Sequence, residues 1–296
     1  RDLDALRFRT DSRMNEIIRE VAAAGQTRGI HLVDADQVFA ASVRTIARVP
    51  GDELFYDHVH MNFEGNYLLA ETVYHRLAEI LPEEIRRRAA GPLEPPSPSE
   101  CAKALVLTGW NQYRMATQIT AILKRPPFTH QSDHETSIAR WQESVSALER
   151  SHTPQALRLA EEIYRRAVQR APDDLLLGAN HAALLHAMGD YEGAATQWRT
   201  LLRALPGIVS WHEELGHALL YQQKAAEAIV EYRQAQRIWP GRALDYSNIG
   251  VALEQLGRLA EAIQEFGEAL RLSPGNVMAH LNLGSLLDKQ GKRQEA

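Results

Sequence analysis

Pro172, Pro206, Pro240 and Pro274 stand 34 residues apart along the C-terminal half of the chain. A proline stops a helix at a defined phase, so four in register divide this half into equal units. Counting back from each, Ala160, Ala194, Ala228 and Ala262 share one phase, and Tyr164, Trp198, Tyr232 and Phe266 follow four residues later. A small residue one helical turn ahead of an aromatic marks the packed side of a helix. A third phase holds Gly216, Gly250 and Gly284, preceded by Leu215, Ile249 and Leu283 and followed by Leu219, Leu253 and Leu287. It reads as the close-approach face of a first helix in each unit.

Helix, short turn, second helix and then proline on a 34-residue period resembles the tetratricopeptide repeat (TPR). The resemblance covers about residues 141–296, with units at 175–208, 209–242 and 243–276, a partial unit from 277 and a degenerate one around 141–174. One unit cannot bury its apolar face alone, so stacking makes such an array stable. Gly189, Gly257 and Gly291 fall between the two helices of their units, where a residue free to take positive φ ends the first helix. The last unit stops at the start of its second helix, and that end is expected to fray unless more chain follows.

The resemblance implies an all-α solenoid whose first helices line a groove for a peptide or partner protein. Counting phases, the groove positions are Ala183, His186, Glu213, His217, Tyr221, Ser247, Val251, Glu254, Ser285 and Asp288. Family members that clamp a C-terminal carboxylate place Lys or Arg on this face, and the complete units here offer neither. Asn180, Asn248 and Asn282 recur at a phase bordering the groove, with Glu214 in the register between. An amide both donates and accepts, which suits either the backbone of an extended peptide, as in TPR arrays with an asparagine ladder, or hydrogen bonds between helices. His181, His212 and His280 fall at packing positions, and no metal site is read from them.

Residues 1–90 follow a different pattern. Residues 13–24 read as an amphipathic helix with Ser12 as N-cap, an apolar stripe of Met14, Ile17, Ile18 and Val21, and Gly25 as its stop. Residues 29–35 (Gly-Ile-His-Leu-Val-Asp-Ala) then read as a short buried strand, which suggests an α/β layer. A second helix is expected from about Phe63 to Ile80, capped by Asn62. The Asp57-x-x-His60 spacing ahead of it is what a hydrolase triad needs, because a carboxylate that fixes the imidazole tautomer lets the histidine take a proton from a serine.

Asp-x-x-His before a helix, in residues 57–70 (DHVHMNFEGNYLLA), resembles the last block of the SGNH (GDSL-like) ester hydrolases and acyltransferases. That resemblance makes His60 the general base and Asp57 its orienting partner, and makes residues 1–90 the C-terminal part of a flavodoxin-like α/β domain acting on an ester substrate. The family's serine and the Gly and Asn of its oxyanion hole precede that block, and no Gly-Asp-Ser occurs before Asp57. Gly109-Trp110-Asn111 and Gly178-Ala179-Asn180 match its Gly-x-Asn in the wrong order. Three functions are therefore open: an interaction array joined to an ester hydrolase or acyltransferase, an interaction scaffold without chemistry, and a metal-dependent hydrolase using Asp57, His58 and His60.

Residues 91–98 hold four of the 13 prolines and read as a stiff linker spanning 91–99, followed by a helical connector over 100–140. Within the connector, residues 99–124 read as one or two helices ended by Pro126-Pro127. Lys and Arg number 33 against 38 Asp and Glu, a net charge of −5, and neither half forms a basic nucleic-acid footprint. Cys101 is the sole cysteine, no run of 18 apolar residues offers a membrane span, and no motif calls for a cofactor. The chain opens at Arg1 without Met and stops inside a repeat, so it reads as a fragment whose compartment the sequence leaves open. The 34-residue register predicts that residues 135–296 fold alone, with a strongly helical circular dichroism spectrum and a cooperative melt. A coil spectrum would refute the repeat reading.

Overall fold

The computed structural model describes residues 12–42, 54–55, 61–88, 94–126, 128–130, 134–289 and 291. Asp57, His58 and His60 lie outside the described residues. The chain divides into two compact units, Arg1–Leu107 and Thr108–Ala296.

In the first unit, α1 (Ser12–Gly25) forms where the periodicity places a helix. Its stripe does not point inward: Met14, Ile17, Ile18 and Val21 are 44–58% exposed, while Ala22 and Gly25 are buried. The inward face is the small-residue side, where the space a Cβ on Gly25 would need is taken by Ile30.

The expected α/β layer is not present among the described residues, which contain no strand, only an isolated bridge between Phe55 and Met61. Residues 30–34 carry no ladder, and helix α2 (Ala35–Ser42) begins where the strand was expected to end. Two local interactions account for this. Gly29 takes the left-handed conformation at φ 79° and turns the chain. The Asp34 carboxylate accepts from the Gln37 amide at 3.2 Å, the bond an N-cap makes. Arg19 of α1 holds the same carboxylate through Nε at 2.6 Å and Nη2 at 3.1 Å, and Asp36 at 3.1 Å. This pairing keeps the Asp34 pKa below the usual carboxylate value.

Helix α3 (Phe63–Ile80) starts as read, with the Asn62 side chain accepting from the Gly65 amide at 2.9 Å. Gly65 is obligatory in that turn, because a Cβ there would sit 2.2 Å from the Leu54 carbonyl oxygen. A small core of Phe39 and Leu54, flanked by Phe55, Leu68 and Leu69, joins α2 to α3. After the short α4 (Glu83–Arg87), the proline-rich segment leads into α5 (Pro98–Ala104), capped by a reciprocal Ser97–Glu100 box. Pro98 is the first helical residue and not linker, and the Tyr67 hydroxyl donates to the Pro96 carbonyl at 3.0 Å.

The second unit is helical throughout its described residues: α6 (Gly109–Leu123), α7 (His134–Ser151), α8 (Pro154–Arg170), α9 (Leu175–Ala187), α10 (Tyr191–Ala204), α11 (Val209–Tyr221), α12 (Ala225–Ile238), α13 (Ala243–Gln255), α14 (Leu259–Leu272) and α15 (Val277–Lys289). Helices α9/α10, α11/α12 and α13/α14 are the two members of successive repeats, and α15 is the first member of the next. The alanine and aromatic phases are their core: Ala194, Ala228 and Ala262 and the rings of Tyr164, Tyr232 and Phe266 have no exposed surface, and Trp198 almost none. Positive φ occurs between the paired helices at Gly189 and Gly257, and after α15 at Gly291, as the glycine phase predicts, and also at Gln223, which fills that position in the second repeat.

Ahead of the regular repeats the period and the packing part company. Helix α7 occupies the first-helix phase by count, yet it packs on α6. It is α6 that reaches the next two helices, with Asn111 hydrogen-bonded to the Tyr164 hydroxyl and Arg114 Nη1 donating to Asn180 Oδ1 at 2.9 Å.

Gly216 lies directly over the Tyr232 ring, where an added Cβ would come within 2.4 Å of it, and Gly250 meets Phe266 in the same way at 2.7 Å. Gly216→Ala is therefore expected to lower unfolding stability by about 1–3 kcal/mol, read by urea titration, despite its better helix propensity. An unchanged midpoint would show that the ring does not require the glycine.

Candidate functional site

First helices of successive repeats touch through side chains at the groove phase. His186 of α9 meets Tyr221 of α11 edge-on at 5.4 Å, and Tyr221 stacks on Tyr191 at 4.6 Å. Tyr221 remains 60% exposed, so one side of this aromatic cluster is open. Burial lowers the His186 pKa, with Glu214 acting in the opposite sense. His217 lies against the Tyr232 ring, and Val251 and Glu254 of α13 are half-buried along the same face. Ala183 is half-buried there too, while Ser285 and Asp288 of α15 are exposed.

Two predicted groove residues prove to be wall rather than surface. Ser247 is buried, its hydroxyl donating to the Ala243 carbonyl and accepting from Asn276. Glu213 is buried and ion-paired with Arg242 at 2.9 Å, a partner 29 positions away that its phase does not announce. Beside it lies Asp245, with no exposed surface and no hydrogen-bond donor to either oxygen among the described residues. Burial first, then the neighbouring Glu213 carboxyl, push the Asp245 pKa up to about 7 against the pull of Arg242. An acid buried beside a second carboxyl group ionises only at a cost, which sets Asp245 apart from the exposed acids of the array.

The three asparagines of the predicted ladder have different fates. Asn180 is engaged by Arg114, as described above. Asn248 keeps a buried Nδ2 with no acceptor among the described residues, and Asn282 is half-buried on α15. The histidines at packing positions serve the frame. His181 is buried and stacks parallel on Tyr164, and desolvation lowers its pKa. His212 and His280 each donate through Nε2 to the carbonyl of the proline six residues back, at 3.0 and 2.9 Å. No group of three or more metal-ligating side chains occurs among the described residues.

Residues 180–243 match the family model of the tetratricopeptide repeat, and residues 250–291 match a second TPR model. The C-terminal half carries TPR repeats. Both matches fall inside the segment that the proline period marks out. Among solved structures, MamA from Desulfovibrio magneticus RS-1 is similar at 16% identity and TM-score 0.44, over 62% of this chain and 89% of that one. The second TPR domain of human RPAP3, solved with an HSP70 peptide, is similar at 26% identity and TM-score 0.36, over 38% and 97%. No curated protein sequence matches. No described helix is long and apolar enough to cross a membrane.

The buried acid pair makes the TPR array's stability depend on pH with a definite sign. Because the folded pKa of Asp245 is raised, its contribution is complete below the unfolded value near 4 and is lost as pH rises through about 7. Asp245→Asn should flatten that decline and raise stability at pH 8 by roughly 1–3 kcal/mol. Parallel urea titrations at pH 5 and pH 8 decide it, and equal losses at both would show that Asp245 does not titrate between them.

Proposed function

We propose that this chain is a protein-interaction scaffold whose TPR array binds an extended peptide across α9, α11, α13 and α15. The observation that carries the reading is Asn248. Its amide sits in the ladder register with a buried, unpaired Nδ2, on a face already lined by half-buried His186, His217 and Val251. A buried donor without an acceptor is costly, and turning the half-buried amide toward a peptide carbonyl passing along the ladder supplies one. A C-terminal carboxylate is not the recognition element, because the groove positions of the complete repeats carry acids and no Lys or Arg.

The scaffold reading also serves residues 1–107 better than the ester-hydrolase reading does. The latter rests on the spacing of Asp57 and His60 and on the Asn62-capped helix. A flavodoxin-like layer needs a strand at 29–35, where the chain instead turns at Gly29 and enters α2.

Selection of a random dodecapeptide display library on the full chain tests the proposal. Val251→Arg, which places a long side chain on the groove face, should weaken binding of the selected consensus peptide at least ten-fold without lowering the melting temperature. Selected peptides indifferent to Val251→Arg would argue for binding elsewhere.

A further inference from the structure

Glu214 is the one change of residue type in the asparagine register, standing between Asn180 and Asn248. Its neighbour Glu213 is neutralised by Arg242, whereas Glu214 has no hydrogen bond or ion pair among the described residues. It shares a stripe of α11 with His217 and Tyr221, three and seven residues on. Its charge acts on His186 of α9, where it opposes the lowering of the pKa by burial, and on Tyr232 of α12, where it adds to the rise that burial causes.

Two buried groups at this point lack partners. Tyr232 has no exposed surface, yet its hydroxyl makes no hydrogen bond among the described residues, and Nδ1 of His186 is buried and equally unpaired. Buried polar groups are ordinarily satisfied, and the half-buried Glu214 carboxylate beside them on the groove face also lacks a donor, so this position suits a donor-rich group. The preceding ladder position shows which kind. There the chain's own Arg114 inserts from α6 and bonds Asn180.

Resting on the peptide-binding reading of the groove, we infer that the Glu214 position receives a lysine or arginine side chain of the bound peptide. The ammonium or guanidinium pairs with and donates to the half-buried Glu214 carboxylate. Its aliphatic stem lies along the open side of Tyr221, where a cation also meets a ring face. The neighbouring Asn248 amide donates to the backbone of the same peptide. Glu214 is thus a specificity residue, while the asparagines read a backbone common to all sequences.

The test uses the full chain and the same display library. Peptides selected on the wild type should be enriched in Lys or Arg at one position. The consensus peptide should bind Glu214→Gln at least ten-fold more weakly than wild type. Its analogue with that basic residue replaced by Gln should bind both proteins alike. Glu192→Gln, an exposed acid on α10 away from the first-helix face, should bind as wild type does. A pool without basic enrichment, or an unchanged affinity for Glu214→Gln, overturns the inference. If Val251→Arg still abolishes binding in that case, the groove itself stands; if it does not, the groove reading falls as well.

Discussion

An aromatic ring laid against a residue without a side chain holds this array together. Tyr232 under Gly216 and Phe266 under Gly250 bring paired helices close, and Ala228 and Ala262 one turn earlier keep the second helix equally slim. Each fully buried ring removes on the order of 150–250 Å² from water. Everything functional on the first helices inherits its position from this contact. Glu214, His217 and Tyr221 are presented on one side of α11 because Leu215, Gly216 and Leu219 are committed to the other.

Charge is partitioned between the two layers of helices. On the second helices, arginines are spent on acids of the next repeat, Arg199 of α10 with Glu227 of α12 and Arg233 of α12 with Glu265 of α14. The exposed Arg199–Glu227 pair adds little stability by itself, but both pairs occupy the cations. The first helices of the complete repeats contribute acids to their face, and Glu213 among them pairs with an arginine at the start of α13. The proposed peptide-binding face is therefore anionic, aromatic and incompletely hydrogen-bonded.

What the sequence disclosed followed from locality. The 34-residue phases place α9 to α15 and their core, and Asn62 predicts the start of α3, because caps and periodic stripes depend on residues within a turn or two. Most departures involve a partner beyond that range. The apolar run at 30–33 has strand character, but a strand needs a neighbour, and Arg19 instead fixes Asp34 at the head of a helix. Glu213 and Ser247 occupy groove phases yet are drawn into the wall by Arg242 and Asn276, 29 residues away in each case. Arg114 reaches Asn180 across 66 positions and an intervening helix hairpin. The α1 stripe is a real period whose apolar side faces outward, since hydrophobic patterning sets which residues share a face and leaves open what that face meets.

The ring-on-glycine contact also decides which insertions and deletions the gene can carry. A residue added inside α11 or α12 turns everything beyond it by about 100°, swinging Gly216 off the Tyr232 ring within the same unit. A residue added in the turns after Pro206 or Pro240 leaves every such pair intact, because glycine and ring both belong to one hairpin. Length variation among descendants of this sequence should collect at those proline turns or come as whole 34-residue units. The helices themselves would keep a fixed reading length.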